Sequence, residues 1–344
     1  MTTKSDAIPQ ALLQTIERIL KSYPAGDITY SIGKPMPFAA AKGLDHPVIV
    51  IPDIHGHSAP MAVLLREVME AYPSGSLRFL GDLVHRGPDS GGALALAITA
   101  CMALEDERGN RSAILHPGNH EEMLLNILLA LAGEIDLDKN PHVKKLLQYI
   151  RENKTWERNF IEDEDPAASI QNDILSRMPE DYADIIRSLG GVVPWVMNCP
   201  VASRTGDLVF VHAGIPPIPT AEHDPVGWAE QFPILRSDNI NPHPRWVNEG
   251  VVGRTKPFPG GYSVIFGHMI DPEYSMALEF DEPIKIDAFA PTLGLDAGSY
   301  DYGVILAGIF ENGTVRLANV SFDQHAKMER GQDVPQEPEH SYGL

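Results

Sequence analysis

The chain has 344 residues, of which 43% are hydrophobic and 22% charged, a composition typical of a globular protein. Its formal net charge of −20 argues against nucleic acid and anionic membranes as partners, since both are polyanions. No stretch reaches the roughly 18 consecutive apolar residues of a membrane-spanning helix, and the first residues lack the apolar core of a signal peptide. We therefore expect a non-exported, cytoplasmic protein, whose oligomeric state stays open.

The first third of the chain alternates between helix and strand patterns. Apolar residues at helical spacing predict an amphipathic helix over residues 7–23, and the Pro- and Gly-rich residues 24–44 are interpreted as a connector. The predicted elements that follow are a strand over 48–51, a helix from Ser58, a strand over 77–80, a helix over 90–104, a strand over 112–115 and a helix over 121–132. This alternation is typical of parallel βαβ units.

Residues 134–190 are charged and helix-favouring, and we interpret them as a helical insertion. Beyond the insertion, strands are predicted over 192–196, 208–211, 262–266, 293–296, 302–309 and 314–319. Asn312-Gly313 predicts a tight hairpin turn between the last two strands. The sequence thus divides into an N-terminal helical extension and connector (1–44), a main domain that carries the insertion (45–323), and a tail expected to be disordered (324–344).

Five of the predicted strands are followed directly by side chains that bind metals or phosphate. The segments are Asp53-Ile54-His55-Gly56, Gly81-Asp82-Leu83-Val84-His85-Arg86-Gly87, Gly118-Asn119-His120-Glu121, His212-Ala213-Gly214 and Gly267-His268. In open α/β sheets, ligands bind beyond the carboxyl ends of the strands. The repeated placement therefore predicts a single site at this edge.

Carboxylate, imidazole and amide groups suit Mn, Fe or Zn, and the two cysteines, with no Cys-x-x-Cys pair, exclude a thiolate zinc site. A carboxylate that bridges two cations can hold them ~3.5–4 Å apart around a shared water. Arg86 offers a planar, two-pronged donor for phosphate oxygens. These residue types together indicate phosphoester chemistry.

Taken in order, the motifs Asp-x-His-Gly, Gly-Asp-x-x-x-Arg-Gly, Gly-Asn-His-Glu, His-Ala-Gly and Gly-His resemble those of the calcineurin-like metallophosphoesterases. More narrowly, they resemble the bacterial branch of the phosphoprotein phosphatase family, over about residues 48–320. The resemblance implies a four-layer αββα sandwich of two mixed sheets with flanking helices. It also implies two divalent metal ions, with Mn as the first expectation and Fe or Zn as alternatives.

The same resemblance assigns a role to each residue of the motifs. It implies metal ligation by Asp53, His55, Asp82, Asn119, His212 and His268, with Asp82 as the bridge between the two ions. It implies that Arg86 and Arg236 hold the phosphate and that His120 protonates the leaving oxygen, while a metal-bridging hydroxide attacks phosphorus. Arg254 lies near Arg236 in sequence and is an alternative phosphate-binding residue.

Position 85 departs from the family pattern. In the protein phosphatases of the family, an aspartate at this position orients and charges the general-acid histidine, whereas this chain has His85. Bacterial diadenosine tetraphosphate hydrolases also lack an acid there. We leave three roles open for His85: support of another site residue, substrate binding, or a plain surface position.

The leading functional hypothesis is a phosphomonoesterase, with phosphoserine, phosphothreonine or phosphotyrosine in proteins among its candidate substrates. A second hypothesis, which His85 leaves open, is hydrolysis of a dinucleoside polyphosphate or a small phosphodiester. A third is a phosphate-binding protein without turnover, although every expected ligand position is filled.

Overall fold

The computed structural model describes residues 8–22, 28–104, 112–153, 155–215, 224–231, 254–258, 260–271, 273–274, 277 and 284–323. None of the helices in these ranges combines the length and the hydropathy of a bilayer-spanning segment. Arg236 and the tail 324–344 lie outside the described residues.

Eleven strands are formed by the described residues. They are β1 (Thr29–Ile32), β2 (Met36–Pro37), β3 (Val48–Ile51), β4 (Ser76–Phe79), β5 (Ala113–Leu115), β6 (Ala202–Thr205), β7 (Leu208–Val211), β8 (Ser263–Phe266), β9 (Thr292–Gly294), β10 (Val304–Glu311) and β11 (Thr314–Ser321). The turn between β10 and β11 is the predicted one, with Asn312 and Gly313 at φ of 48° and 75°. Both residues therefore adopt the left-handed conformation that a tight hairpin of this type needs.

Ten helices are formed by the same part of the chain. They are α1 (Gln10–Ser22), α2 (Ser58–Ala71), α3 (Ser90–Ala103), α4 (Asn119–Leu131), α5 (Pro141–Glu152), α6 (Pro166–Ser176), α7 (Glu180–Ser188), α8 (Val192–Met197), α9 (Pro225–Ala229) and α10 (Ser299–Tyr302). Helices α5, α6 and α7 lie within residues 134–190, where the sequence predicts a helical insertion.

The strands form two mixed sheets. The first has the order β1-β11-β10-β3-β4-β5, with β2 also paired to β11. Within it β3, β4 and β5 are parallel, whereas β10 is antiparallel to β3. The second has the order β6-β7-β8-β9, and β7, β8 and β9 are parallel.

Alternating side chains on fully buried strands divide the core into layers. In β3, Ile49 and Ile51 pack with the helices, while Val48 and Val50 pack against the second sheet. In β7, Phe210 faces the first sheet, and the opposite face of the second sheet packs against residues of α9. This period-two burial produces the order helices, sheet, sheet, helix. The predicted sandwich of two mixed sheets with flanking helices is confirmed.

Two element predictions were wrong. Residues 192–196 form the helix α8 and not a strand, with Val192 and Val196 buried on one side. A short run of β-branched residues fits either a strand or a buried helix, so hydrophobic pattern alone does not separate them. Residues 24–44, interpreted as a connector, contribute β1 and β2, which extend the first sheet through pairing with β11.

Candidate active site

The parallel strands of both sheets direct their carboxyl ends to one open cleft. The first sheet contributes the residues after β3, β4 and β5, and the second those after β7, β8 and β9. The cleft has a volume of about 310 Å³ and is lined by His55, Asp82, Arg86, Asn119, His120, His268, Met269, Ile270 and Asp296. The convergence expected from the sequence motifs is therefore present in the structure.

Asp82 lies at the centre of this group and is almost completely buried. Its Oδ1 accepts a hydrogen bond from the backbone N–H of His120 at 2.9 Å and lies 3.4 Å from His212 Nε2. Its Oδ2 lies 3.9 Å from His55 Nε2. Asp82 belongs to both groups of metal-binding side chains, one with His55 and His120 and the other with His212 and His268. One carboxylate thus faces both candidate metal positions.

His212 approaches Asn119 in a way that fits a cation between them. The Nδ1 of His212 lies 2.6 Å from the Leu80 carbonyl oxygen, and this acceptor fixes the ring hydrogen on Nδ1. The Nε2 lone pair of His212 then faces Asn119 Oδ1 at 2.9 Å. His268 Nδ1 lies 3.0 Å from the same amide oxygen. A bound cation would offset the repulsion between such electron-rich atoms.

The buried carboxylates point to the same conclusion. Burial, followed by the neighbouring Asp296 and Asp82, raises the pKa of Asp53 well above its ordinary value. Burial, followed by Glu121, likewise raises the pKa of Asp82. Asp53 Oδ2 accepts the His268 N–H at 2.8 Å, but its Oδ1 has no hydrogen-bond partner among the described residues. Because burying unpaired carboxylates is costly, these residues fit a divalent metal site.

Several of these residues adopt backbone conformations that are rare for non-glycine residues. The φ angles of His55, Asp82 and His268 are 48°, 50° and 64°. Strain of this kind is concentrated at functional sites, where the surrounding structure holds it. Gly118 adds a steric requirement, since a Cβ at this position would collide with the Asp82 carboxylate and the His212 ring.

His120 stands beside the candidate metal residues, with its Nε2 4.0 Å from Asp82 Oδ2. Burial, followed by the nearby His55, lowers the pKa of His120 well below its ordinary value. Its Nδ1 lies 2.9 Å from His85 Nδ1, so His85 contacts the candidate general acid directly. Of the three roles left open for His85, support of another site residue stays a prediction, and this contact supplies the geometry that it needs.

Glu157 reaches this group from the segment 134–190. Its Oε1 lies 2.9 Å from His85 Nε2, and its side chain is completely buried. The approach of these two atoms is close, although its angles lie outside those of an ordinary hydrogen bond. No motif around Glu157 indicates this role in the sequence, because the contact joins residues 72 positions apart.

Asp296 lines the cleft and was not among the predicted site residues. It is 3% exposed and accepts the Gly298 N–H on Oδ1 at 2.9 Å. Burial raises the pKa of Asp296 to about 6. The sequence does contain a signal for this position, since Asp296 follows the end of a strand within a few residues, as Asp53 and Asp82 do.

The candidate phosphate-binding arginines differ in position. Arg86 is exposed at the cleft, with its guanidinium 5.5 Å from the centre of the Tyr300 ring. Arg254 donates to the Lys256 carbonyl and lies over the Phe258 ring, and it is not among the residues that line the cleft. Arg236 lies outside the described residues.

A family model described as calcineurin-like phosphoesterase matches residues 46–297. The chain is 37% identical over 101 residues to the symmetrical bis(5'-nucleosyl)-tetraphosphatase of Ralstonia nicotianae, a match that covers 29% of this chain and 31% of that protein. The chain thus spans about a third of the length of this relative.

Two solved structures are similar at low sequence identity. One is a crystal structure with a provisional assignment as a diadenosine tetraphosphatase, with a TM-score of 0.41, 20% identity, and coverage of 82% of this chain and 96% of the other. The second is the cold-active protein-tyrosine phosphatase of a psychrophilic Shewanella, with a TM-score of 0.46, 14% identity, and coverage of 78% and 79%. Neither likeness bears on the substrate.

Proposed function

Since the chain belongs to the calcineurin-like phosphoesterase family, we propose that it hydrolyses phosphomonoesters with the help of two divalent metal ions. The observation that carries the proposal is the position of Asp82, which is shared by both groups of metal-binding side chains. Its carboxylate has an oxygen directed toward each group, as a bridging ligand requires. We further propose that residues 45–323 form the catalytic domain.

The proposed ligands are the six residues of the sequence motifs: Asp53, His55, Asp82, Asn119, His212 and His268. Their oxygen and nitrogen donors fit Mn, which we propose as the working metal, with Fe or Zn as alternatives. When bound, a pair of such ions activates a water nucleophile and offsets the charge of the phosphoryl group.

The remaining residues of the cleft act on the substrate. Arg86 holds the non-bridging phosphate oxygens, since its guanidinium is a permanently charged, two-pronged donor at the open edge of the cleft. His120 donates a proton from Nε2 to the leaving oxygen as the bond to phosphorus breaks. The backbone N–H of His120 is held by Asp82 Oδ1, which couples the position of the proton donor to the metal site.

A phosphorylated side chain of a protein is our first candidate substrate, because the cleft is open to solvent and lies beside the exposed Arg86. Hydrolysis of a dinucleoside polyphosphate is a second candidate. It is favoured by the 37% identity to a protein that carries the name of a bis(5'-nucleosyl)-tetraphosphatase. The acidic surface makes a long polyanion an unsuitable substrate for either reaction.

The test is turnover of three substrates by protein stripped of metal and then supplied with Mn, Fe or Zn. We expect hydrolysis of p-nitrophenyl phosphate and of a phosphopeptide, and faster turnover of these than of diadenosine tetraphosphate. Preference for the dinucleotide would establish the second candidate. Lack of hydrolysis with every metal would favour a phosphate-binding protein without turnover.

Asp82→Asn tests the bridging role. Because the amide lacks the negative charge that two cations share, we expect metal binding, measured by calorimetry, and turnover to be lost together. Asp45→Asn, at an exposed position before β3, is the matched control and should change neither. Full activity of Asp82→Asn would exclude the two-metal assignment.

A further inference from the structure

Three side chains form a continuous line from the cleft into the segment 134–190. His120 contacts His85 through their Nδ1 atoms at 2.9 Å, and the other ring nitrogen of His85 lies 2.9 Å from Glu157 Oε1. Glu157 begins a short helical turn, Glu157–Asn159, and is completely buried. A buried acid is therefore separated from the candidate general acid by one imidazole ring.

The contact between the two histidines restricts where their hydrogens lie. Of two ring nitrogens 2.9 Å apart, one carries a hydrogen and the other offers a lone pair. The negative charge of Glu157 attracts the hydrogen of a neutral His85 ring to Nε2, which leaves the lone pair on Nδ1. His120 must then donate from its own Nδ1. Its Nε2 is consequently the nitrogen left to exchange a proton with a substrate in the cleft.

Glu157 has the charge that this arrangement needs. Burial opposes its ionisation, but the attraction of the His85 ring leaves the pKa of the Glu157 carboxyl below its ordinary value. A completely buried carboxylate is costly unless a partner compensates its charge, and His85 is the partner in direct contact.

The turn that carries Glu157 is fixed against helix α3. The neighbouring Trp156 donates from Nε1 to Asp173 Oδ2 at 3.1 Å, and Asp173 pairs with Arg177. Arg177 forms a second ion pair, at 2.7 Å, with Asp89, the residue that caps α3. Gly91 lies so close to this network that a Cβ there would collide with the Asp173 carboxylate. The turn that carries Glu157 is therefore anchored by partly buried contacts that reach α6 and α3.

We propose that Glu157 is a positioning residue that, through His85, fixes the orientation of the His120 ring so that its Nε2 is directed at the leaving oxygen. The inference rests on the proposed phosphomonoesterase function. In the reaction, a bond forms between water oxygen and phosphorus, and the bond to the leaving oxygen breaks. The leaving oxygen takes the proton of His120 Nε2, and one water proton goes to solvent, from which His120 recovers its own. Glu157 stays ionised throughout and exchanges no proton.

The kinetic test is Glu157→Leu, which removes the charge and both oxygens, with Glu157→Gln as a variant closer in shape. A defect in proton donation slows a substrate with a basic leaving group more than one whose leaving group is stable as an anion. We expect kcat to fall about tenfold or more with phenyl phosphate and less than about threefold with p-nitrophenyl phosphate, within the range of general acid catalysis. Glu162→Gln, an exposed glutamate paired with Arg158 in the same segment, is the control and should leave both rates unchanged.

Rescue provides an independent check. Aspartate tolerates the positive φ of 68° at position 85 and would place a carboxylate beside His120 without the intervening ring. We therefore expect His85→Asp combined with Glu157→Leu to recover the rate on phenyl phosphate. An equal loss of kcat on both substrates in Glu157→Leu, or no loss in that variant, would show that Glu157 has a structural role only. Either result would overturn the proposal.

A readout in the metal-free protein separates this inference from the proposed function. Nitrogen-15 spectra of the histidine rings should show hydrogen on His120 Nδ1 and on His85 Nε2, and Glu157→Leu should change this pattern. If wild-type protein hydrolyses neither ester but shows the pattern, the function fails and the positioning by Glu157 stands. An unprotonated His120 Nδ1 in wild-type protein would overturn the positioning itself.

Discussion

Replacement of Asp296 by asparagine is expected to stabilise the metal-free protein at neutral pH. Burial raises the pKa of Asp296 from its ordinary value of 3.8 to about 6, so between these two pH values the native state keeps a proton that the unfolded state has lost, and at neutral pH folding buries a charged carboxylate. The stability contributed by this group is fully present below the unfolded pKa and is lost as pH rises through about 6. Asparagine keeps an oxygen that accepts the Gly298 N–H but does not titrate.

The size of the effect follows from the difference of about two pKa units. At about 1.4 kcal/mol per unit, the group accounts for about 3 kcal/mol of unfolding free energy. The unfolding free energy of Asp296→Asn minus that of wild type should therefore increase by about 3 kcal/mol between roughly pH 3 and pH 7.5.

Urea unfolding of both proteins across this pH range, in the presence of a chelator, measures the difference. The exposed substitution Asp45→Asn is the control and should give a difference that is nearly constant with pH. A difference between Asp296→Asn and wild type that does not change with pH would refute the reasoning, because it would mean that Asp296 is ionised in the native metal-free protein.

Three further substitutions test the site and the core. Gly118→Ala should reduce kcat/KM for p-nitrophenyl phosphate by about a hundredfold or more, since its Cβ displaces the Asp82 carboxylate; unchanged activity would contradict the packing described. Arg86→Ala should raise KM by about ten- to hundredfold, as expected for a lost charged hydrogen bond, with an unchanged urea midpoint; an unchanged KM would remove Arg86 from phosphate binding. Phe210→Ala, at a completely buried position between the sheets, should cost about 3–5 kcal/mol in urea unfolding; a cost below about 1 kcal/mol would contradict that burial.

The residues at the strand ends could be predicted because local signals are strong there. Asp53 and His55 follow within four residues of the end of the run Val48–Ile51, so the position of the motif follows from the strand. The family predicted from these motifs is confirmed by the match over residues 46–297. The individual site roles stay predictions, which the experiments on Asp82 and Arg86 address.

Features that depend on distant contacts could not be predicted in the same way. Residues 192–196 became a helix because the hydrophobic pattern of a short apolar run does not specify its secondary structure. Glu157 joins the site only because Trp156 and Arg177 place its turn against another helix, and no local pattern encodes that docking. The sequence therefore predicts the position of a site residue better when that residue follows a strand directly than when tertiary packing alone brings it to the site.

The proposed ligands are divided between the two sheets, with Asp53, His55, Asp82 and Asn119 after strands of the first and His212 and His268 after strands of the second. Neither sheet alone holds a complete set. A folding chain would therefore bind its metal ions only after the two sheets have packed against each other. Ions bound there would cross-link the two sheets. Metal uptake would then report the last stage of folding, and an intermediate with only one sheet formed would bind the ions weakly or not at all.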